Sequence, residues 1–353
     1  MESLSQITKT LVQFKTVKGN DEEFKRAFQY IENFFKSTEL DIHRHRINGF
    51  KTLVVASDED PDIMLHGHLD VVDAEEEMFE PEEDDEKIYG RGAADMKSGL
   101  AALMKAVKVL SKKDQLGSTG LMIVSDEEIG GFNGVKPLSK EEYSPEFALS
   151  AEPNSSDSEM QIVTHQKGVI RLKLRAEGRN AHGSQPWKGE NAAEKLWRKY
   201  QELRDNFVNE KGDWTTTVNL GYFKSPGAMN VVPDEAKAGL DIRYTDEYTP
   251  EEIRSDLKGI DGLNWEMAAV DPQLKTNREN HLVQKLLDTS ENHKNTDLAR
   301  KTAASDMRHF SDQGVPTVVM GPKGNGIHED DEYVLKESIE SFERIIKEFI
   351  REV

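Results

Sequence analysis

The chain has 353 residues, with 66 Asp plus Glu against 46 Lys plus Arg, and its formal net charge of −20 repels nucleic-acid phosphates and anionic membrane surfaces. There is no cysteine, which excludes disulfides, a thiol nucleophile and thiolate metal ligands and leaves His and carboxylates as the donors for any metal. The length exceeds the size at which single cores stop growing, so two domains are expected.

Leu4, Ile7, Leu11 and Phe14 recur at helical spacing, as do Phe24, Phe28, Ile31 and Phe35, so the chain is expected to open with two amphipathic helices. This N-terminus has no apolar core long enough for a signal peptide, and no later run approaches the roughly 20 apolar residues of a membrane span. A soluble, cytoplasmic protein is expected. The acidic excess fits either solubility or a high-salt habitat, and the run EEEMFEPEEDDEK reads as a solvated loop.

Short apolar runs then alternate with helical patterns. FKTLVVA, DIMLHGHLDVV, STGLMIVS and EFALSAE read as strands, with the helix KSGLAALMKAVKVLSKK between the second and third. This alternation predicts an α/β sheet with parallel strands. From about 167 to 275 the order becomes β, α, β, β, α, β, the ferredoxin-like arrangement. The α/β pattern resumes with HLVQKLLDTSE, a strand near DLARKTA, the strand PTVVMGP and a closing helix from Glu332 to Arg351. The expected organisation is a first domain in two parts, 1–166 and 276–353, with 167–275 inserted.

Five clusters could carry chemistry, and each falls at or near the carboxyl end of a predicted strand, where an open α/β sheet builds its site. In HGHLD, strand alternation puts His66, His68 and Asp70 on one face. At about 3.3 Å per residue the two histidines lie roughly 6.6 Å apart, too far for one ion held at about 2 Å to use both easily. The strand-end rule favours His68 with Asp70 and leaves His66 to packing or an outer contact. Asp95, in YGRGAADMKSG, reads equally as a helix N-cap. Asp126, Glu127 and Glu128 are adjacent carboxylates that repel one another unless a cation or water relieves them. Glu152 and His328 complete a His, Asp, Glu, Glu and His set with one spare carboxylate, the inventory of a two-metal site.

Taken together, HGHLDVV, YGRGAADMKSGLAA, SDEEIGG, SAEP, AHGSQPWKGENA and IHEDDEY resemble the M20 zinc metallopeptidases and deacylases over nearly the whole chain. The resemblance implies an α/β, mixed-sheet zinc-hydrolase catalytic domain with an inserted ferredoxin-like α+β dimerisation (lid) domain. It implies two Zn2+ ions, with Co2+ or Mn2+ as substitutes, since an N/O ligand set suits several metals. Carried over by position, His68 and Glu152 hold the first ion, Glu128 and His328 the second, and Asp95 bridges them. Glu127 is then the general base and Asp70 the group that orients His68, and the peptide between Asp95 and Met96 is expected to be cis. His182 is expected to help stabilise the oxyanion. Asn230 and Arg243, and beyond them Lys167, Ser305 and Arg308, are candidate substrate contacts.

The reaction the resemblance implies is hydrolysis of an amide by a water bridging the metals. The substrate expected is an N-acyl amino acid, as for acetylornithine deacetylase or succinyl-diaminopimelate desuccinylase. The alternative is a carboxypeptidase or dipeptidase using the same site. TAASDMRHF looks more like desuccinylases and HGSQPW more like carboxypeptidases. The segment before YGRG departs from the family in lacking its Trp and Pro-Phe pattern. The partners expected are a small acyl amino acid or short peptide and a second copy in a homodimer, with no nucleic acid and no membrane.

Overall fold

The computed structural model describes residues 2–207 and 214–353, and these divide into two compact units. One unit comprises Met1–His165, Leu274–Lys301 and Ser305–Val353, and the other Gln166–Gln273 with Thr302–Ala304. The strands of the two main sheets, in chain order, are β1 (Asp41–Ile47), β2 (Phe50–Ala56), β3 (Ile63–His68), β4 (Thr119–Val124), β5 (Phe147–Ser150), β6 (Met160–Gln166), β7 (Gly168–Glu177), β8 (Thr217–Lys224), β9 (Glu235–Tyr244), β10 (Asn264–Asp271), β11 (Leu274–Lys275), β12 (Thr296–Lys301) and β13 (Thr317–Val319).

The main sheet of the first unit runs β1-β2-β4-β3-β5-β13-β6-β11, with β12 pairing β6. Its centre, β4-β3-β5-β13, is parallel. The flanks are antiparallel, β1 on β2 and β2 on β4 at one side and β6 on β13 at the other. The sheet is therefore mixed, as the family resemblance implies, and the parallel strands expected from the alternation of apolar runs and helices form its centre. The parallel strands β3, β4 and β5 are buried along their whole length, which is why they read as continuous apolar runs rather than alternating ones.

Two helices pack on this centre. α1 (Ser98–Ser111) has Leu100, Leu103, Met104, Val107 and Leu110 buried, and α2 (Lys336–Glu352) turns Ile339, Phe342, Ile345, Ile346, Phe349 and Ile350 inward. The start of α1 lies so close to the strand turn after β5 that a Cβ on Gly99 would meet the Ala151 carbonyl oxygen at 2.2 Å. Glycine is required there by space, and the contact fixes α1 beside Glu152.

The closing helix begins at Lys336, not at Glu332 as its periodicity suggests. Residues Tyr333–Leu335 instead form a short strand paired antiparallel with Lys87–Tyr89. Similarly, the strand over DIMLHGHLDVV stops at His68. Beyond it the chain bonds to Thr16, whose hydroxyl donates to the Leu69 carbonyl while its own carbonyl accepts from Val71 N–H.

In the second unit β8-β9-β7-β10 form one antiparallel sheet. Helices Ala192–Arg204 and Pro250–Gly259 supply Leu196, Leu203, Ile253 and Leu257 to a core with Ile170, Leu172, Leu174 and Ile242. Order and pairing are those of the ferredoxin-like fold. The other face of β7 carries Arg171, Lys173, Arg175 and Glu177, all exposed.

Candidate metal centre

The parallel centre of the sheet ends in the chemistry. His68 is the last residue of β3, Glu127 and Glu128 begin a short 3-10 turn past β4, and Glu152 lies just past β5. Adjacent parallel strands thus deliver these side chains to one edge. Asp95 enters from the segment before α1, across a cis peptide bond between Asp95 and Met96. His328 sits in a loop at a φ of 65°. That left-handed conformation is uncommon outside glycine and is often retained where a side chain is aimed for function.

These residues fall into two groups whose donor atoms lie within 4.8 Å of one another, His68 with Glu127 and Glu152, and Asp95 with Glu128 and His328. Asp95 links them: its Oδ1 is 3.2 Å from His68 Nε2 and its Oδ2 is 3.7 Å from His328 Nε2. One carboxylate therefore offers one oxygen to each histidine. Glu128 Oε1 is 3.4 Å from His328 Nε2, and Glu127 Oε2 is 4.0 Å from His68 Nε2. By distance alone Glu127 belongs to the first group as much as Glu152 does.

His68 Nδ1 lies 2.9 Å from the Asp70 main-chain carbonyl. A carbonyl only accepts, so Nδ1 carries a proton, and Nε2 is the nitrogen that faces Asp95. The expectation for Asp70 is therefore altered in its atoms. The carboxylate Oδ1 is 3.7 Å from the ring, while Oδ2 accepts the Glu128 main-chain N–H at 2.9 Å. Asp70 orients His68 through its backbone and the SDEE turn through its side chain, because the strand ends before it and the same-face argument no longer applies.

Burial sets the electrostatics. It pushes the Glu127 carboxyl well above its ordinary range, and the charge of Glu152 adds to this. It pushes Glu152 up to about 8, with Asp95 as the next cause. Asp70 is raised to about 7, again chiefly by burial. Burial alone would lower His68, but its hydrogen bond to the Asp95 carboxylate and the charges of Glu127 and Asp70 outweigh it and hold the imidazole well above its usual value. His328 is raised by its bond to Glu128. A buried Glu152 Oε1 without a hydrogen-bond partner among the described residues points the same way: this cluster lacks positive charge. The donor set, all His and carboxylate, fits divalent zinc-like ions.

Around this centre stand residues that sequence reasoning missed. Glu332 is buried, with its Oε1 accepting the main-chain N–H of Ala94 at 3.0 Å and of Asp95 at 3.1 Å. Its Oε2 takes Arg91 Nη1 at 2.6 Å, so a buried ion pair holds the segment that presents Asp95. Their signal was an Arg in the Gly-rich turn and an acid four residues past His328. His66 joins neither group: its Nδ1 is 3.1 Å from Ser150 Oγ and its Nε2 is 3.3 Å from Asp306 Oδ2, all three residues fully buried.

The other candidates divide by unit. In the first, Ser305 is buried, and Arg308 donates to the Ser305 and Gly130 carbonyls at 2.6 and 3.0 Å. That guanidinium braces the SDEEIGG turn. In the second, His182 is exposed, with Nδ1 2.8 Å from Ser184 Oγ, and the short ribbon pairing His182 with Val231 brings Asn230 alongside, its carbonyl accepting Gly183 N–H at 2.6 Å. Arg243 Nε is paired with Asp241 at 2.8 Å. Lys167 is buried, its ammonium on the Thr215 carbonyl and 5.8 Å from the Trp214 ring.

Two linked His/carboxylate groups at the ends of parallel strands are the kind of site built by α/β metallohydrolases. Residues 64–352 match the profile of peptidase family M20/M25/M40, and the chain belongs to that family. It is 26% identical to a succinyl-diaminopimelate desuccinylase of Hydrogenovibrio crunogenus over 98% of each chain. It is 30% identical to that of Thioalkalivibrio sulfidiphilus over 81% of this chain and 82% of the relative. Among solved structures it resembles a tripeptidase from Staphylococcus aureus, with TM-score 0.81, 24% identity and coverage of 99% of this chain and 97% of that one. Aminopeptidase PepT from Bacillus cereus gives TM-score 0.80 at 20% identity with the same coverage. The structures establish the shared fold, and family and relatives together make the chain a hydrolase of amide bonds. No helix among the described residues is long and apolar enough to cross a membrane.

Proposed function

We propose that this chain is a two-metal deacylase that removes the acyl group from an N-acyl amino acid, working in the cytoplasm as a homodimer. The observation that carries the reading is Asp95, whose two carboxylate oxygens face one histidine each. His68 and Glu152 are the proposed holders of one ion and Glu128 and His328 of the other, with zinc the first choice and cobalt or manganese as substitutes. Such ions supply Lewis acidity for the scissile carbonyl and a lowered pKa for the attacking water.

The chain's own residues then do the following. Glu127 accepts the proton of the attacking water on its carboxylate and returns it to the leaving amine, a service worth about 10² to 10⁴ in rate. Its burial, which raises its proton affinity, suits it to hold that proton between the two steps. The Asp70 carbonyl keeps His68 in the tautomer that presents Nε2. Glu332 and Arg91 hold the Asp95 segment in place. His182 is the proposed donor to the developing oxyanion, and Asn230, Arg243, Lys167 and Ser305 the proposed substrate contacts.

Desuccinylase relatives over nearly the full chain support the deacylase reading. The peptidases among the structural neighbours keep a second one, a carboxypeptidase or dipeptidase with the same site. Zinc-loaded protein assayed against N-succinyl-diaminopimelate, N-acetylornithine, other N-acetyl amino acids and dipeptides separates them, since turnover of dipeptides alone rejects the deacylase. Glu127→Gln should lower kcat by about 10² to 10⁴ with both metals still bound, and unchanged turnover would show that another group is the base.

A further inference from the structure

Strand β12 ends at Lys301, a residue that none of the motifs includes. Its Nζ donates to the Pro153 carbonyl at 2.9 Å. Pro153 directly follows Glu152, so the ammonium is held on the main chain next to a residue of the first donor group. Its charge acts on both Asp95 and Glu152. The side chain is half-buried, and among the described residues no carboxylate lies within ion-pairing distance of it. The lysines nearest it in sequence differ: Lys294 pairs with Glu337 at 2.6 Å, and Lys323 spends its ammonium on the Asp157 and Ser158 carbonyls.

An ammonium has three donors, and the Pro153 carbonyl uses one. Two remain, on a partly desolvated cation at the rim of the centre. The neighbouring carboxylates do not serve as its partners, because Asp95 and Glu152 are directed to the histidine side and are the donors a metal would take. A cation held there with spare donors is suited to an anion that arrives with the substrate.

We propose that Lys301 binds a free carboxylate of the substrate on the Glu152 side of the centre and makes the enzyme selective for amides that carry one. This rests on the amidohydrolase reading and narrows it to a substrate class. The carboxylate comes either from the acyl group, as in a succinyl amide, or from the amino acid released. Both present the same chemistry to a lysine, so the test must separate them.

The experiment compares the wild type with Lys301→Met and Lys301→Arg on three compounds: an N-succinyl amino acid, the same compound with the succinyl carboxylate converted to its amide, and the same compound with the α-carboxylate converted to its amide. Lys301→Met should lower kcat/KM for the parent by about 10- to 100-fold, mostly through KM, as expected for a lost hydrogen bond to a charged group. The amide lacking the recognised carboxylate should change by less than about threefold, which identifies the carboxylate. Lys301→Arg should recover most of the loss. Equal losses on all three compounds, or no loss on any, would overturn the proposal, as would a fall in bound zinc in Lys301→Met.

A readout independent of turnover is calorimetric titration of the zinc-loaded protein with succinate and, separately, with an unacylated amino acid. One of the two should bind the wild type and bind Lys301→Met at least tenfold more weakly. If the wild type hydrolyses none of the three compounds nor any N-acetyl amino acid, the deacylase reading fails. The titration then still decides Lys301, because equal binding to wild type and variant rejects its role.

Discussion

The two sheets of this protein handle charge in opposite ways. In the first unit, strands buried on both faces push every charged group to their carboxyl ends, where Asp70, Asp95, Glu127, Glu128 and Glu152 crowd together at little or intermediate exposure. In the second, an antiparallel sheet leaves one face in solvent, and its charges stand in pairs such as Arg175 with Glu235 at 2.8 Å and Lys173 with Glu266 at 3.7 Å. Dispersed, solvated pairs of this kind contribute little to stability. Concentrated, buried carboxylates are costly unless a cation relieves them. Parallel topology therefore creates the chemistry, and antiparallel topology provides a tolerant surface.

Four experiments sharpen this contrast, in order of expected effect. Asp95→Asn weakens one of two anionic oxygens that serve both donor groups, so both metals should be lost or greatly weakened, with activity down by about 10³-fold or more. Zinc stoichiometry by elemental analysis checks it, and one retained metal at full affinity would argue against a shared ligand. Glu332→Gln breaks a buried ion pair and leaves Arg91 without its carboxylate, at a cost of about 3 to 5 kcal/mol. Denaturant titration measures this, and zinc affinity should fall with it if Glu332 holds the Asp95 segment.

The third experiment uses pH. Burial, with the neighbouring Arg308 charge, lowers the His309 pKa to about 4, and its ring nitrogen lies 3.1 Å from the Gly130 carbonyl. The unfolded chain takes up a proton near pH 6.5 and the folded chain only near 4, so the unfolded state binds more protons in between. Stability should therefore fall as pH drops from about 6.5 to about 4, by up to about 3 kcal/mol from this residue. His309→Gln keeps a donor for Gly130 and should flatten that part of the stability profile. An unchanged slope would mean that His309 is already protonated in the folded state. Lastly, Lys173→Met on the exposed face of β7 should change stability by no more than about 0.5 kcal/mol and leave zinc binding alone.

Much of this arrangement was legible beforehand. Period and turn residues marked β2 to β5, the helix from Ser98 and the β, α, β, β, α, β order of the inserted unit. Each chemical cluster stood out because a polar residue at the end of an apolar run is conspicuous. β1 was missed because DIHRHRI is an edge strand with few apolar residues to bury. Its pattern carries no core signal. Glu332 was absorbed into a helix because helical periodicity continues through it, whereas its partner Arg91 lies 241 residues away.

The residue types, their order and the strand-end position of each were set by the amino-acid sequence, since alternation and periodicity are local properties of the chain. Tertiary structure alone decided which atoms meet. His66 and His68 are equivalent by spacing, yet β5 and Asp306 take the first and Asp95 the second. Asp70 acts on His68 through its carbonyl because the strand ends before its side chain can follow the pleat. Lys301 stood out only once β12 placed its ammonium on the Pro153 carbonyl, for contacts between distant segments depend on packing that no local pattern encodes.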